Sequence, residues 1–121
     1  MTTGGTGEFP HLTRSERKQV TRLVAEETAG EVPIYAGTAA CSTLETINLS
    51  EDAARVGATA STVTPPYHFP VPEEMTHEHM RVVAQAGPLP LVVYNNPLYR
   101  GNPMSPSLIA RLMGIDGVVG L

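Results

Sequence analysis

Short unbroken apolar runs alternate along the chain with longer amphipathic stretches. Leu91-Val92-Val93 is one such run, and it stops at Tyr94-Asn95-Asn96-Pro97. A continuous run of branched apolar residues reads as a parallel strand covered on both faces, and proline cannot continue its ladder. Val32 to Ala36 runs in the same way into Gly37-Thr38, and Ala58 to Val63 into Thr64-Pro65-Pro66-Tyr67. Val118-Val119-Gly120-Leu121 starts a further strand. Gly57, Gly87 and Gly114 close three successive helical segments, so the unit recurs every 27 to 30 residues. That is the period of one strand and one crossover helix, and the expected class is α/β. Such repeats build an open doubly wound sheet or a closed eight-stranded barrel. Either way, the carboxyl ends of the strands, where Tyr67 and Tyr94 fall, are where chemistry is expected.

The helical segments have readable ends and faces. Thr13 with Glu16, and Ser42 with Glu45, each fit a capping box. Ser105 followed by Pro106 fits an N-cap with proline in the first helical position. Met75, His79, Val82, Val83 and Ala86 share one stripe, as do Leu108, Ile109, Leu112 and Met113. Val20, Leu23 and Val24 are expected to mark the inner face of the first helix. The stretch from Ser42 to Val56 is less regular, with Leu44 and Ile47 on one line and Leu49, Ala53 and Val56 on another.

Length narrows the choice between sheet and barrel. At 121 residues the chain is long enough for one domain, whereas a complete barrel of this type takes roughly 250. Met1 leads at once into Thr2-Thr3-Gly4-Gly5-Thr6-Gly7, a loop with no strand before it, and Leu121 falls inside an apolar strand. The first residues favour a piece of something larger, which for these repeats would be a partial (β/α)8 TIM barrel of about four βα units with a truncated final strand. A compact flavodoxin-like sheet is the alternative.

Charge and residue usage remove several function classes. The net charge is −4, with no basic stripe and no aromatic–basic interleaving, so no nucleic-acid partner is expected. No apolar run approaches the length of a membrane span, and no membrane partner is expected. A lone cysteine, Cys41, excludes an intrachain disulfide and suits a reducing, cytoplasmic setting. At a helix start its thiol would be activated, although such a cysteine is more often a small packed residue. His77 and His79 are two apart and diverge on a helix, and no His-Glu-x-x-His spacing occurs, so no metal site is expected. Glu26-Glu27 and Glu73-Glu74 read as solvated faces. The Gly4 to Gly7 loop is not a P-loop, since no Gly-Lys-Ser/Thr follows.

Several motifs in register carry a resemblance. Gly4-Gly5-Thr6-Gly7-Glu8, Leu12-Thr13 with Glu16, Val32 to Thr38, Thr64-Pro65-Pro66-Tyr67 and Tyr94-Asn95-Asn96-Pro97 resemble the dihydrodipicolinate synthase / N-acetylneuraminate lyase family over nearly the whole chain. The resemblance implies a class I aldolase on a (β/α)8 barrel, usually a homotetramer, with no metal or organic cofactor. A lysine on the sixth strand forms a Schiff base with pyruvate or another 2-oxo acid, which then reacts with an aldehyde. On this resemblance, residues 1–121 are the central fragment of one barrel domain, from the end of the second strand unit to the start of the sixth strand. The family lysine directly follows the segment matching Val119-Gly120-Leu121. The only lysine here, Lys18, falls on the first helix and does not match it.

The resemblance also assigns roles residue by residue. Tyr94 matches the tyrosine that moves protons to and from the Schiff-base intermediates, a task suited to a phenol that both donates and accepts. Tyr67 matches a tyrosine that extends this relay in the synthases; alone it reads equally as a turn residue. Gly5, Thr6 and Gly7 match the loop that grips the substrate carboxylate, where exposed backbone donors form an anion nest. Synthases commonly carry a hydroxyl residue where Gly5 stands, so the relay is broken here or completed by water. Tyr99 stands where synthases often place an arginine, and Arg100 is the neighbouring candidate for binding a carboxylate. The Gly-Gly-Thr-Gly-Glu loop is also similar to dehydratases acting on 5-dehydro-4-deoxyglucarate, whereas Asn96-Pro97 follows the synthase and lyase pattern. The leading expectation is a 4-hydroxy-tetrahydrodipicolinate synthase-like lyase. The alternatives are a 5-dehydro-4-deoxyglucarate dehydratase-like enzyme, a sugar-acid aldolase, and a non-catalytic truncated half-barrel; the 121-residue chain alone is expected to be inactive. His68, beside Tyr67, reads as a solvated loop histidine.

Overall fold

A computed structural model describes residues 1–96 and 101–121 of the chain. A short 3₁₀ turn at Phe9–His11 leads into α1 (Arg14–Thr28), β1 (Tyr35–Gly37), α2 (Thr43–Arg55), β2 (Ala60–Val63), α3 (Glu73–Ala86), β3 (Leu91–Val93), α4 (Pro106–Leu112) and β4 (Val118–Gly120). The four strands form one sheet in the order β1-β2-β3-β4, with every neighbouring pair parallel. A doubly wound sheet reverses its strand order at a switch point; this one does not. Each helix packs on the next, α1 on α2, α2 on α3 and α3 on α4, so all lie on one face. This is the winding of a (β/α)8 barrel, and the flavodoxin-like alternative is excluded.

Strand alternation sorts the two faces. Val63, Leu91, Val93 and Val118 point toward the helices and form the main core with Met80 and Val83 of α3 and Leu108 and Leu112 of α4. A second cluster joins Ile34 and Ala36 to Ala53 and Ala58. Ser61 also points outward, donating to Ser50 Oγ of α2 at 2.7 Å and accepting from Thr38 Oγ1 at 3.2 Å. The opposite face holds Tyr35, Thr62, Val92 and Val119, of which Tyr35 and Val119 are exposed. The first residues are not the unsupported loop expected. Thr2 N–H donates to the Tyr35 carbonyl at 2.8 Å, and Gly37 N–H to the Thr2 carbonyl at 2.9 Å, a parallel bridge that extends the sheet beyond β1.

Two helix faces differ from their expected phase. In α1 the buried residues are Arg17 and Thr21, while Val20, Leu23 and Val24 are exposed. Polar side chains face inward because each finds partners there. Arg17 reaches the Gly37 carbonyl at the end of β1, and Thr21 Oγ1 bonds Thr2 Oγ1 at 3.0 Å. In α3 the buried stripe is Thr76, His79, Met80 and Val83, rotated so that Met75 is exposed. In α2, Leu49 and Ala53 are buried and Leu44 is exposed.

The caps follow the sequence closely. Thr13 and Glu16 form the full reciprocal box, and Ser105 Oγ accepts from Leu108 N–H at 3.1 Å with Pro106 following. Ser42 accepts from Glu45 N–H at 3.1 Å, but the Glu45 carboxylate accepts from Asn48 instead of returning to the cap. Gly57 takes the left-handed φ of +99°, whereas Gly87 is extended and is required for a different reason. A Cβ there would lie 2.8 Å from the Val83 carbonyl oxygen.

Ion pairs tie the outer helical layer. Asp52 is nearly buried on α2 and meets Arg14 Nε at 2.5 Å, Arg55 at 3.1 Å and Lys18 Nζ at 3.6 Å. The Arg14 hydrogen bond, with the surrounding cations, holds the Asp52 carboxyl below the usual carboxylate range. Glu74 takes a two-pronged contact from Arg111 at 2.6 and 2.7 Å, and Glu73 accepts from Ser105 N–H at 3.1 Å. These two glutamates therefore pin α3 to α4. No helix among the described residues is long and apolar enough to cross a membrane.

His79 makes the α2–α3 contact sensitive to pH. Its Nδ1 lies 2.9 Å from Thr43 Oγ1, its Nε2 has no partner among the described residues, and burial pushes its pKa down from 6.5 to about 4. The folded pKa lies below the unfolded one, so between the two values the unfolded chain binds more protons. Stability is then complete above the unfolded value and falls as pH drops through that window, by up to about 3 kcal/mol. Urea unfolding at pH 7 and pH 5 should show this loss, and His79→Gln should remove most of it. Equal pH dependence in both proteins would contradict the assignment to His79.

Candidate active site

The glycine-rich turn between the Thr2 bridge and α1 folds over the carboxyl ends of β1 and β2. Thr3 adopts a left-handed φ of 46°, and Glu8 one of 53°. For a β-branched residue this is a conformation imposed by its surroundings. Thr3 Oγ1 donates to the Gly37 carbonyl at 3.0 Å. The Thr3 carbonyl lies so close over Gly37 that a Cβ there would sit 2.3 Å from its oxygen. Only glycine at the end of β1 lets the turn close down on the sheet.

Beneath the turn lies a cavity of about 20 Å³, lined by Thr3, Gly5, Phe9, Thr62, Thr64 and Tyr94 among others. Two of the residues singled out from sequence, Gly5 and Tyr94, meet here. Tyr94 is held at the end of β3 by its N–H, which donates to the Val63 carbonyl at 2.8 Å. Its hydroxyl accepts from Asn96 Nδ2 at 3.3 Å. Thr6 and Gly7 are exposed on the turn and do not line the cavity. Tyr67 stands one ring back, packed edge-on against Phe9 with centroids 5.7 Å apart at 84°. Arg100, with Pro97 and Tyr99, lies outside the described residues.

Arg17 and Asn102 escaped sequence reasoning, and both hold the site from behind. Arg17 is buried on α1, with Nη2 donating to the Gly37 carbonyl at 2.7 Å and to the Ala39 carbonyl at 3.2 Å. Its guanidinium also lies 4.8 Å over the Phe9 ring. Phe9, Gly37 and Ala39 all line the cavity, so one cation fixes three parts of its wall. Burial pushes the Arg17 pKa below its ordinary value, with Tyr67 and Glu45 opposing the shift. Asn102 is buried and donates to the Pro66 carbonyl at 2.6 Å and the Phe69 carbonyl at 2.8 Å. Its Oδ1 accepts from Val71 N–H at 3.0 Å. This amide staples the loop that carries Tyr67. Neither residue belongs to a motif or an apolar stripe that the sequence offered.

The remaining candidates stay apart from the cavity. Cys41 is exposed, not packed, and Lys18 lies on the outer helical layer against Asp52. His68 is exposed and packs edge-on against Phe69. No cluster of three potential metal ligands occurs among the described residues.

The model of the dihydrodipicolinate synthetase family matches residues 1–121. The chain belongs to that family. It is 42% identical over 118 residues to a DapA-like lyase of Halobacterium salinarum, covering 98% of this chain and 39% of the relative. To the 4-hydroxy-tetrahydrodipicolinate synthase of Methylococcus capsulatus it is 39% identical, covering 98% of this chain and 40% of that enzyme. Its fold is similar to the chloride-inhibited dihydrodipicolinate synthase of Acinetobacter baumannii, solved with pyruvate. There the TM-score is 0.93 and the identity 36%, over 98% of this chain and 40% of the other. The chain thus spans about 40% of the length of the family members it matches.

Arg17 gives a direct test of how the site is held. Arg17→Met keeps much of the side-chain volume but removes the donor to the Gly37 and Ala39 carbonyls, of which Gly37 keeps the Thr3 hydroxyl. Losing hydrogen bonds from a charged group should cost on the order of 2 kcal/mol. Urea unfolding measures it, and a change below a few tenths of a kcal/mol would show that Arg17 does not hold the wall.

Proposed function

We propose that residues 1–121 are the central part of a single (β/α)8 barrel, from the end of the second strand unit to the start of the sixth strand. The whole protein is then a lyase acting on pyruvate or a related 2-oxo acid through a lysine Schiff base, in the manner of 4-hydroxy-tetrahydrodipicolinate synthase. The observation that carries this reading is the meeting of Tyr94 and the glycine-rich turn in one cavity at the strand ends, in a chain of this family. The pyruvate complex of the A. baumannii synthase supports the substrate class. The exposed Cys41 thiol suits a cytoplasmic setting.

Each residue then has a chemical task. The phenol of Tyr94 donates a proton to, and recovers one from, the atoms that change charge as the imine forms and breaks. Backbone N–H groups around Gly5, Thr6 and Gly7 receive the substrate carboxylate, with Arg100 as a further carboxylate contact. Tyr67, behind Phe9, extends the proton path. Lys18 is not the nucleophile, because it sits on the outer helical layer paired with Asp52. The amine belongs to the sixth strand, next to the segment Val119-Gly120-Leu121.

In the full-length protein, Tyr94→Phe should lower turnover by about 10²–10⁴-fold, the usual contribution of a general acid–base group. Tyr67→Phe should cost much less, and Gly5→Thr should enlarge that cost by coupling the hydroxyls. Near-normal turnover in Tyr94→Phe would defeat the assignment. With borohydride and pyruvate, the 121-residue chain alone should give no stoichiometric adduct by mass spectrometry, and a clean adduct on Lys18 would refute its structural role.

A further inference from the structure

Among the described residues, Thr62 carries the one buried hydroxyl on the inner sheet face that has no hydrogen-bond partner. It is 6% exposed, lines the cavity with Tyr94 and Gly5, and its Oγ1 has no hydrogen-bond partner among the described residues. An unsatisfied buried hydroxyl costs about 1–3 kcal/mol, so native structures rarely keep one dry. Its neighbours Ser61 and Thr64 are both engaged, with Ser50 and with the Pro65 carbonyl. Thr62 could not turn to the helical layer without exchanging faces with Ser61.

The cavity has room for a single small occupant. Its volume of about 20 Å³ exceeds the roughly 10–15 Å³ that one water needs, and a buried water takes two to four polar partners. Thr62, Tyr94 and Gly5 all line this space, and Gly5 adds no side chain to it. Tyr94 Oη already accepts from Asn96 and retains a proton to place. We propose that Thr62 is a positioning residue that acts on Tyr94 through one bound water. The water bonds Thr62 Oγ1 on one side and the Tyr94 hydroxyl on the other, orienting the phenol toward the substrate. The proposal rests on Tyr94 being the proton-transfer group.

The test compares Thr62→Val, which keeps the shape and deletes the hydroxyl, with Thr62→Ser, which keeps the hydroxyl. In the full-length protein with pyruvate, Thr62→Val should lower kcat about tenfold with KM for pyruvate changed less than about twofold, a fraction of the general acid–base contribution. Loss of a donor to the phenolate also moves the alkaline limb of the kcat–pH profile upward. Thr62→Ser should recover kcat to within about threefold of the starting protein. Unchanged kcat in Thr62→Val, or no recovery in Thr62→Ser, overturns the proposal. A high-resolution crystal structure of the unsubstituted protein gives an independent reading. A water within hydrogen-bond distance of both hydroxyls supports it, and a dry cavity refutes it, even if Thr62→Val does not fold. Normal turnover in Tyr94→Phe would instead defeat the functional reading itself. Impaired Tyr94→Phe beside a normal Thr62→Val defeats only the role of Thr62.

Discussion

Crossovers between neighbouring parallel strands place α1 to α4 on a single face of the sheet, and every other feature follows from that constraint. The helical face takes the apolar alternation of the strands and becomes the core. The other face holds Tyr35, Thr62, Val92 and Val119, and at its carboxyl edge the chain must turn outward after each strand. Tyr94 and the loop carrying Tyr67 leave the sheet at that edge. The cavity is therefore a product of the winding, and the side chains around it came to hand from separate repeats.

What makes the cavity specific is a layer of support behind it. Arg17 belongs to α1, yet its contacts are to the end of β1 and to the ring of Phe9. Asn102 belongs to the segment before α4, yet it holds the loop after β2. Each side chain donates to backbone carbonyls at or just beyond a strand end. Buried polar groups of this kind are tolerated only where their partners are fixed, and in return they fix the partners. The glycine-rich turn obeys the same logic, since Gly37 has no side chain and Thr3 accepts a left-handed backbone to close over it.

Sequence reading erred where a polar residue had an internal partner. Periodicity placed Val20, Leu23 and Val24 inside, but Arg17 and Thr21 occupy that face. A hydrophobic stripe assumes that apolar area decides the orientation of a helix. On α1 the hydrogen bonds of Arg17 and Thr21 to the first strand positions decide it instead. On α3 the expected stripe kept His79 and Val83 but not Met75, and Thr76 and Met80 are buried instead.

The sequence by itself determined the repeat, the strands, most of the caps and the place of Tyr94 at a strand end. These depend on local periodicity, on proline and glycine stops, and on side chains that reach only three residues along. It also carried the family motifs, because they lie in order along the chain. Only the tertiary structure decided that Gly5 and Tyr94 share a cavity with Thr62, that Tyr67 stands behind Phe9, and that Thr2 joins the sheet. Those relations link residues 30 to 90 positions apart, and nothing in their local pattern encodes the contact. They exist because parallel pairing brings successive strand ends side by side, and because a buried carbonyl or hydroxyl must find its partner wherever the winding has placed one.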